Sequence, residues 1–240
     1  MAIWNPWHGC RKFSPGCANC YVYRRDAEFG KDASIVKRTR QFDAPLKKNR
    51  LGEYKMTDDG EYVYCCMTSD FFIEEADAWR PEIWDIIRTR SDLNFSIITK
   101  RIHRFNECLP DDWGDGWDNV SIVCTCEDQT AANMRLPIFL NLPIKHKSII
   151  CEPLLGRIDI RNFLKSKAIS SVICGGESGE NARECDFGWV LFLMEQCVES
   201  GTAFHFKQTG ANFKKGDRIY RIDRKDQMTQ AAKAGVDYLP

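Results

Sequence analysis

Short apolar, β-branched runs alternate with longer stretches of helical spacing through most of the chain. The runs are Tyr62–Met67, Phe95–Ile98, Val120–Cys124, Ser148–Cys151, Val172–Cys174 and Ala203–Phe206. Their length is that of strands, and turn-forming or charged residues bound them. Between them, Pro81–Arg90, Thr130–Asn141 and Phe187–Ser200 read as helices. In the last of these, Val190, Leu191, Met194, Cys197 and Val198 stand at i, i+1, i+4, i+7 and i+8, a helix face turned to a core. Pro81 suits the first turn of its helix, where its missing N–H costs nothing. A short extended segment around Ile3–Trp7 supplies a first strand. Alternation of strand and helix predicts parallel strands joined by right-handed crossovers. The expected fold class is therefore α/β: a TIM-like (β/α) barrel, closed or incomplete, forming one domain over residues 1–240.

Polar side chains follow each of these strands. They read Thr68-Ser69-Asp70, Thr99-Lys100-Arg101, Cys126-Glu127-Asp128, Glu152-Pro153, Gly175-Gly176-Glu177-Ser178 and Lys207-Gln208. In a (β/α) barrel the C-terminal strand ends line one mouth, so these sets are expected to share it. Lys100, Arg101, Glu127, Glu152, Lys207 and Gln208 are the candidate contacts for a substrate carboxylate or phosphate, or for a cofactor. Each of them also fits a rim ion pair.

Charge adds little to this at the level of the whole chain. Lys+Arg and Asp+Glu both number 34 in 240 residues, so no net field draws a polyanion. Local basic groups remain: Lys37-Arg38-Thr39-Arg40 and Lys47-Lys48-Asn49-Arg50, then Lys214-Lys215 with Arg218, Arg221, Arg224 and Lys225. The segment from Lys31 to Asp59 that carries the first two reads as a solvated loop, with a lid or phosphate-contacting arm as the second reading. Asp217, Asp223 and Asp226 dilute the third group. No apolar run approaches the roughly 18 residues of a membrane span, and the first residues carry no secretion signal. A cytoplasmic protein without a membrane partner is expected. Neither a Ser/His/Asp pattern nor a phosphate-binding Gly-x4-Gly-Lys-Ser/Thr stretch is present. The four histidines form no pair at helical spacing.

Cysteine placement is more informative. There are twelve, and Cys10, Cys17 and Cys20 crowd a Gly/Pro-rich loop as Gly-Cys-x6-Cys-x2-Cys-Tyr. Clustered thiols in a reducing compartment bind metal more often than they form disulfides. Three thiolates suit an iron–sulfur cluster with one open corner. A closed zinc site needs a fourth ligand, for which His8 or a distant cysteine is available. Several other cysteines lie in strand-like runs and read as buried thiols.

On these residues the chain resembles a phage-associated family of three-cysteine proteins of unassigned function. The resemblance rests on the Trp4 to Tyr21 start, Thr99 to Arg101, Glu127 to Gln129, Glu152 to Leu154, Gly175 to Gly179 and Phe206 to Gln208. That family in turn resembles the radical S-adenosylmethionine (radical SAM) enzymes in its three-cysteine loop and barrel pattern. The resemblance implies that Cys10, Cys17 and Cys20 each ligate one iron of a 4Fe–4S cluster. It implies that the fourth iron chelates S-adenosylmethionine, that an electron donor reduces the cluster, and that a 5′-deoxyadenosyl radical forms. It further implies that Gly175, Gly176, Glu177 and Ser178 bind the methionine end, with Glu177 facing the ammonium. Two other readings stay open: a zinc-stabilised protein that binds or modifies nucleic acid, and a non-catalytic subunit that serves a partner protein. A bacterial or phage-encoded origin goes with the first resemblance.

Overall fold

All six residues of Val120–Thr125 are buried, the mark of a strand covered on both faces. In the computed structural model, which describes residues 2–240, this run is a strand of a seven-stranded sheet. In chain order the strands are β1 (Ala2–Trp4), β2 (Trp7–His8), β3 (Lys37–Arg38), β4 (Tyr62–Cys65), β5 (Asn94–Thr99) and β6 (Val120–Thr125). They continue with β7 (His146–Cys151), β8 (Ile169–Gly175), β9 (Glu184–Asp186), β10 (Ala203–Gln208), β11 (Asn212–Lys215) and β12 (Arg218–Arg221). The helices are α1 (Tyr21–Glu28), α2 (Arg80–Thr89), α3 (Gln129–Leu140), α4 (Arg161–Leu164), α5 (Phe187–Ser200) and α6 (Gln227–Lys233).

The large sheet has the order β1-β4-β5-β6-β7-β8-β10. Pairing is parallel for β1 with β4, β4 with β5, β7 with β8, and β8 with β10. This is a mixed α/β fold with parallel strands added in near-sequential order, as in part of an α/β barrel. No pairing of β10 with β1 occurs among the described residues. All six strands expected from the apolar runs are present, as are the three expected helices. The smaller sheets, β12-β11-β9 and β2-β3, have no counterpart in the apolar pattern.

The chain forms two compact units. The first comprises Met1–Lys12, Arg25–Val123 and Leu142–His146. Its core is aromatic: Trp84 lies 4.8 Å from Phe71 and 5.3 Å from Trp113, and Trp7 lies 5.5 Å from Phe71. Tilted and edge-on rings of this kind add packing energy beyond the area they bury. Arg80, at the start of α2, is buried because its guanidinium donates to the carbonyls of Phe71 and Ile73 and pairs with Asp77.

Phe13–Arg24, Cys124–Asn141 and Lys147–Pro240 make the second unit. Asp128 caps α3 by accepting the Ala131 N–H at 2.7 Å, and Asp186 caps α5 by accepting that of Gly188 at 2.8 Å. Gly201 ends α5 with φ 65°, the left-handed position that glycine occupies without strain. Cys151, Cys174, Cys185 and Cys197 are all buried here. No helix among the described residues is long and apolar enough to cross a membrane.

Candidate functional site at the cysteine loop and the strand ends

In the first unit, Cys10 follows β2 and Gly9. Gly9 has φ 94°, and a Cβ there would run into the carbonyl of Ile35, so the loop needs glycine at this turn. The Cys10 N–H donates to the Ala33 carbonyl at 2.8 Å. Its half-buried Sγ accepts from Nη1 of Arg101 at 3.9 Å. Arg101, just after β5, also donates to the Arg11 carbonyl at 2.9 Å and lies 3.5 Å from Asp70 and 3.7 Å from Glu74. Burial opposes the Arg101 charge, but Asp70, Cys10 and Glu74 outweigh it and raise its pKa. A guanidinium so placed favours the thiolate form of a neighbouring cysteine. Asp70 is held in turn, accepting from the Thr99 hydroxyl at 2.8 Å and the Lys100 N–H at 2.9 Å. The Lys100 side chain is half-buried. His8 Nε2 lies 2.7 Å from Asp26 Oδ2, an Asp–His pair two residues from Cys10.

In the second unit, Cys17 closes a 3-10 turn, Pro15–Cys17, and Cys20 stands just before α1; both are half-buried. Two ion pairs at strand ends anchor this segment. Glu127 has no exposed surface and accepts from Arg135 at 2.7 Å, while the Ser14 hydroxyl donates to its other oxygen. Gly16 packs directly on the Glu127 side chain. Glu177 accepts from the Arg183 guanidinium at 2.6 Å, the Arg183 N–H at 2.9 Å and Asn19 at 3.0 Å. Burial would raise the Glu177 carboxyl, but Arg183 and Asn19 outweigh it and hold the pKa below its ordinary value. Arg183 also donates to the Pro15 carbonyl at 3.0 Å.

Glu152 pairs with Lys207 at 2.6 Å. Its second oxygen, Oε1, is buried without a hydrogen-bond donor among the described residues. A Cβ on Gly175 would collide with that oxygen, and one on Gly176 with the Thr209 carbonyl. The resemblance implies that these glycines bind a ligand; their positions also let the protein's own Glu152 and Thr209 approach closely. Gln208 donates to the Gly176 carbonyl at 2.9 Å, and the Ser178 carbonyl accepts from Arg24 at 2.9 Å.

The expected rim residues thus divide by unit. Asp70, Lys100 and Arg101 meet in the first. In the second, Glu127, Glu152, Glu177 and Lys207 all lie at or just after strand ends, each in an ion pair. Sequence reading missed the partners Arg135, Arg183, Asn19 and Ser14. Of these, Ser14 stands just before the Cys17-x-x-Cys20 pair, in Ser-Pro-Gly-Cys, and Asn19 lies inside it, whereas Arg135 and Arg183 belong to no motif. Cys10, Cys17 and Cys20 are soft donors suited to iron–sulfur or zinc chemistry. No group of three or more His, Cys, Asp or Glu side chains is gathered as metal ligands among the described residues.

Comparison with curated proteins finds no match, and comparison with solved structures finds none either. Among protein families, residues 1–237 match the one described as "protein of unknown function (DUF5131)", and the chain belongs to that family.

Proposed function

We propose that the chain is an iron–sulfur protein of radical SAM type, with Cys10, Cys17 and Cys20 holding a 4Fe–4S cluster and S-adenosylmethionine as its ligand. The observation that carries this reading is exposure. Of twelve cysteines, nine are buried, and the three that are not fall within one short loop. When bound, the cluster and S-adenosylmethionine supply radical chemistry that no side chain provides.

The chain's own residues hold and orient. Arg101 sets a buried cation beside Cys10, which offsets the negative charge of a ligating thiolate. Glu127, through Ser14, and Arg183, through the Pro15 carbonyl, fix the loop just before Cys17. We assign Arg101 and Glu127 to positioning the loop. Lys100 and the Glu152–Lys207 pair are the groups proposed to meet substrate. Gly175, Gly176, Glu177 and Ser178 are proposed for the methionine end of the cofactor. To take its ammonium, Glu177 must exchange part of its bonding with Arg183 and Asn19, so the net gain is that of an exchange.

Anaerobic reconstitution with iron and sulfide, followed by addition of S-adenosylmethionine and a reductant, tests the reading. Brown protein that releases 5′-deoxyadenosine is the expected result. A colourless protein that binds no iron would sink it. The His8–Asp26 pair favours one second reading, a closed zinc site. A carboxylate orients a ligating imidazole in this way. Stoichiometric zinc that is lost in His8→Ala would support that alternative.

A further inference from the structure

The β11–β12 hairpin is built from residues that a core strand avoids. Arg218, Ile219, Tyr220 and Arg221 are all exposed. The antiparallel register sets Phe213 opposite Tyr220 and Lys215 opposite Arg218. Side chains two apart on a strand share a face, so Phe213, Lys215, Arg218 and Tyr220 occupy one side of the hairpin. On the other side, Lys214 is tied to Asp186 at 3.4 Å.

The aromatic face is preorganised. Phe213 lies 5.6 Å from Phe187 and 6.0 Å from Phe206, and Phe206 is buried in the core. Lys215 stands over the Phe187 ring at 5.3 Å. Between this face, the turn after β12 and α6 lies a cavity of about 640 Å³. That volume is within the range of pockets that bury small ligands. Phe187, Phe213 and Tyr220 give it rings, and Lys215, Arg221 and Lys233 give it cations. Asp223 and Asp226 also line it and offer acceptors to base amines or sugar hydroxyls. Between residues 211 and 235 there are seven Lys or Arg against three Asp, although the chain as a whole is neutral.

Stackable rings interleaved with unpaired-sign charge complement a ligand that alternates flat bases with phosphates. We propose that this hairpin and cavity bind single-stranded nucleic acid, with a base stacked on Tyr220 and Phe213 and phosphates held by Lys215, Arg218 and Lys233. The site is separate from the cysteine loop and stands whether or not the loop holds a cluster. A duplex keeps its bases stacked inside and offers this face only its backbone, so the single strand is the favoured form.

Fluorescence anisotropy with a dye-labelled oligothymidylate 20-mer and the full chain tests this at two salt concentrations. Intact protein should bind the strand more tightly than a duplex of equal length, and less tightly at higher salt. Tyr220→Ala should weaken binding roughly tenfold with the salt slope unchanged. The double variant Lys215→Ala/Arg218→Ala should weaken it and flatten the slope by about 1.4, the expectation for two lost phosphate contacts. Both sets of changes lie on exposed positions, and circular dichroism confirms that each variant is folded. Lack of binding by the intact chain would overturn the proposal, as would equal affinity in all variants or preference for duplex. Full competition by free thymidine monophosphate at equal concentration would also overturn it, in favour of a mononucleotide pocket.

Discussion

The cysteines of the N-terminal loop and those of the strands and α5 differ in everything but their chemistry. Cys151, Cys174, Cys185 and Cys197 are buried, and burial pushes the first two thiols well up and the other two up to about 12. They serve as small apolar side chains, protonated at neutral pH. Cys10, Cys17 and Cys20 are half-exposed on a loop held by Arg101, Glu127 and Arg183. A thiol becomes a ligand or nucleophile only as the thiolate, and only where something can reach it. Position along the chain, rather than residue type, therefore separates structural sulfur from sulfur available for chemistry.

Metal content breaks the comparison most directly. Cys17→Ala should lose essentially all bound metal after anaerobic purification, whereas Cys197→Ala should keep it. Elemental analysis decides this, and equal content in the two variants would remove the distinction. Thiol reactivity is the next largest effect. With a pKa of about 12, a thiol at pH 8 is thiolate to roughly one part in ten thousand, and burial blocks the reagent as well. Alkylation of the metal-free chain at pH 8, mapped by mass spectrometry, should label Cys10, Cys17 and Cys20 at least about a thousandfold faster than Cys185 and Cys197.

The same contrast explains what the sequence discloses. β6 and α5 are legible as elements because burial imposes a pattern, a continuous apolar run in one and helical spacing in the other. The face that α5 buries, however, is Val190, Leu193, Gln196 and Cys197, with Leu191 and Met194 half-buried and Val198 exposed. The strands β11 and β12 are not legible, since the hairpin exposes most of its residues and so carries no apolar alternation. It registered only as a basic group. The cysteine loop stood out because its spacing is local. Its supports did not, because Ser14 meets Glu127 and the Pro15 carbonyl meets Arg183 across 113 and 168 residues of chain, and no spacing rule selects such partners. Nor does spacing disclose that Gly175 and Gly176 pack on Glu152 and Thr209, which follow β7 and β10 and are distant in sequence.

Those supports are open to measurement. Glu127 and Arg135 form a buried pair, and removing one partner strands the other charge. Glu127→Ala should cost about 3–5 kcal/mol in urea unfolding. A loss below about 1 kcal/mol would mean that the pair does not hold Ser14 and the loop behind it. Lys207→Ala, at a partly exposed pair, should cost less.

Alkaline stability gives the smallest effect and the finest test of the buried thiols. An unfolded cysteine loses its proton near pH 9, while Cys185 and Cys197 in the folded chain keep theirs to about pH 12. Between those values the folded state binds more protons than the unfolded one, so stability falls as pH rises. Their contribution is fully present below pH 9 and is lost progressively toward pH 12. Each thiol should contribute about 1.4 kcal/mol of lost stability per pH unit across that window. Lysines and tyrosines titrate there too, so the informative quantity is a difference. The double variant Cys185→Ala/Cys197→Ala should start less stable at pH 8, from lost packing, yet lose less stability between pH 9 and pH 10 than the native chain. Equal slopes in the two proteins would show that these thiols are not held protonated by burial, and that the line between structural and available sulfur lies elsewhere.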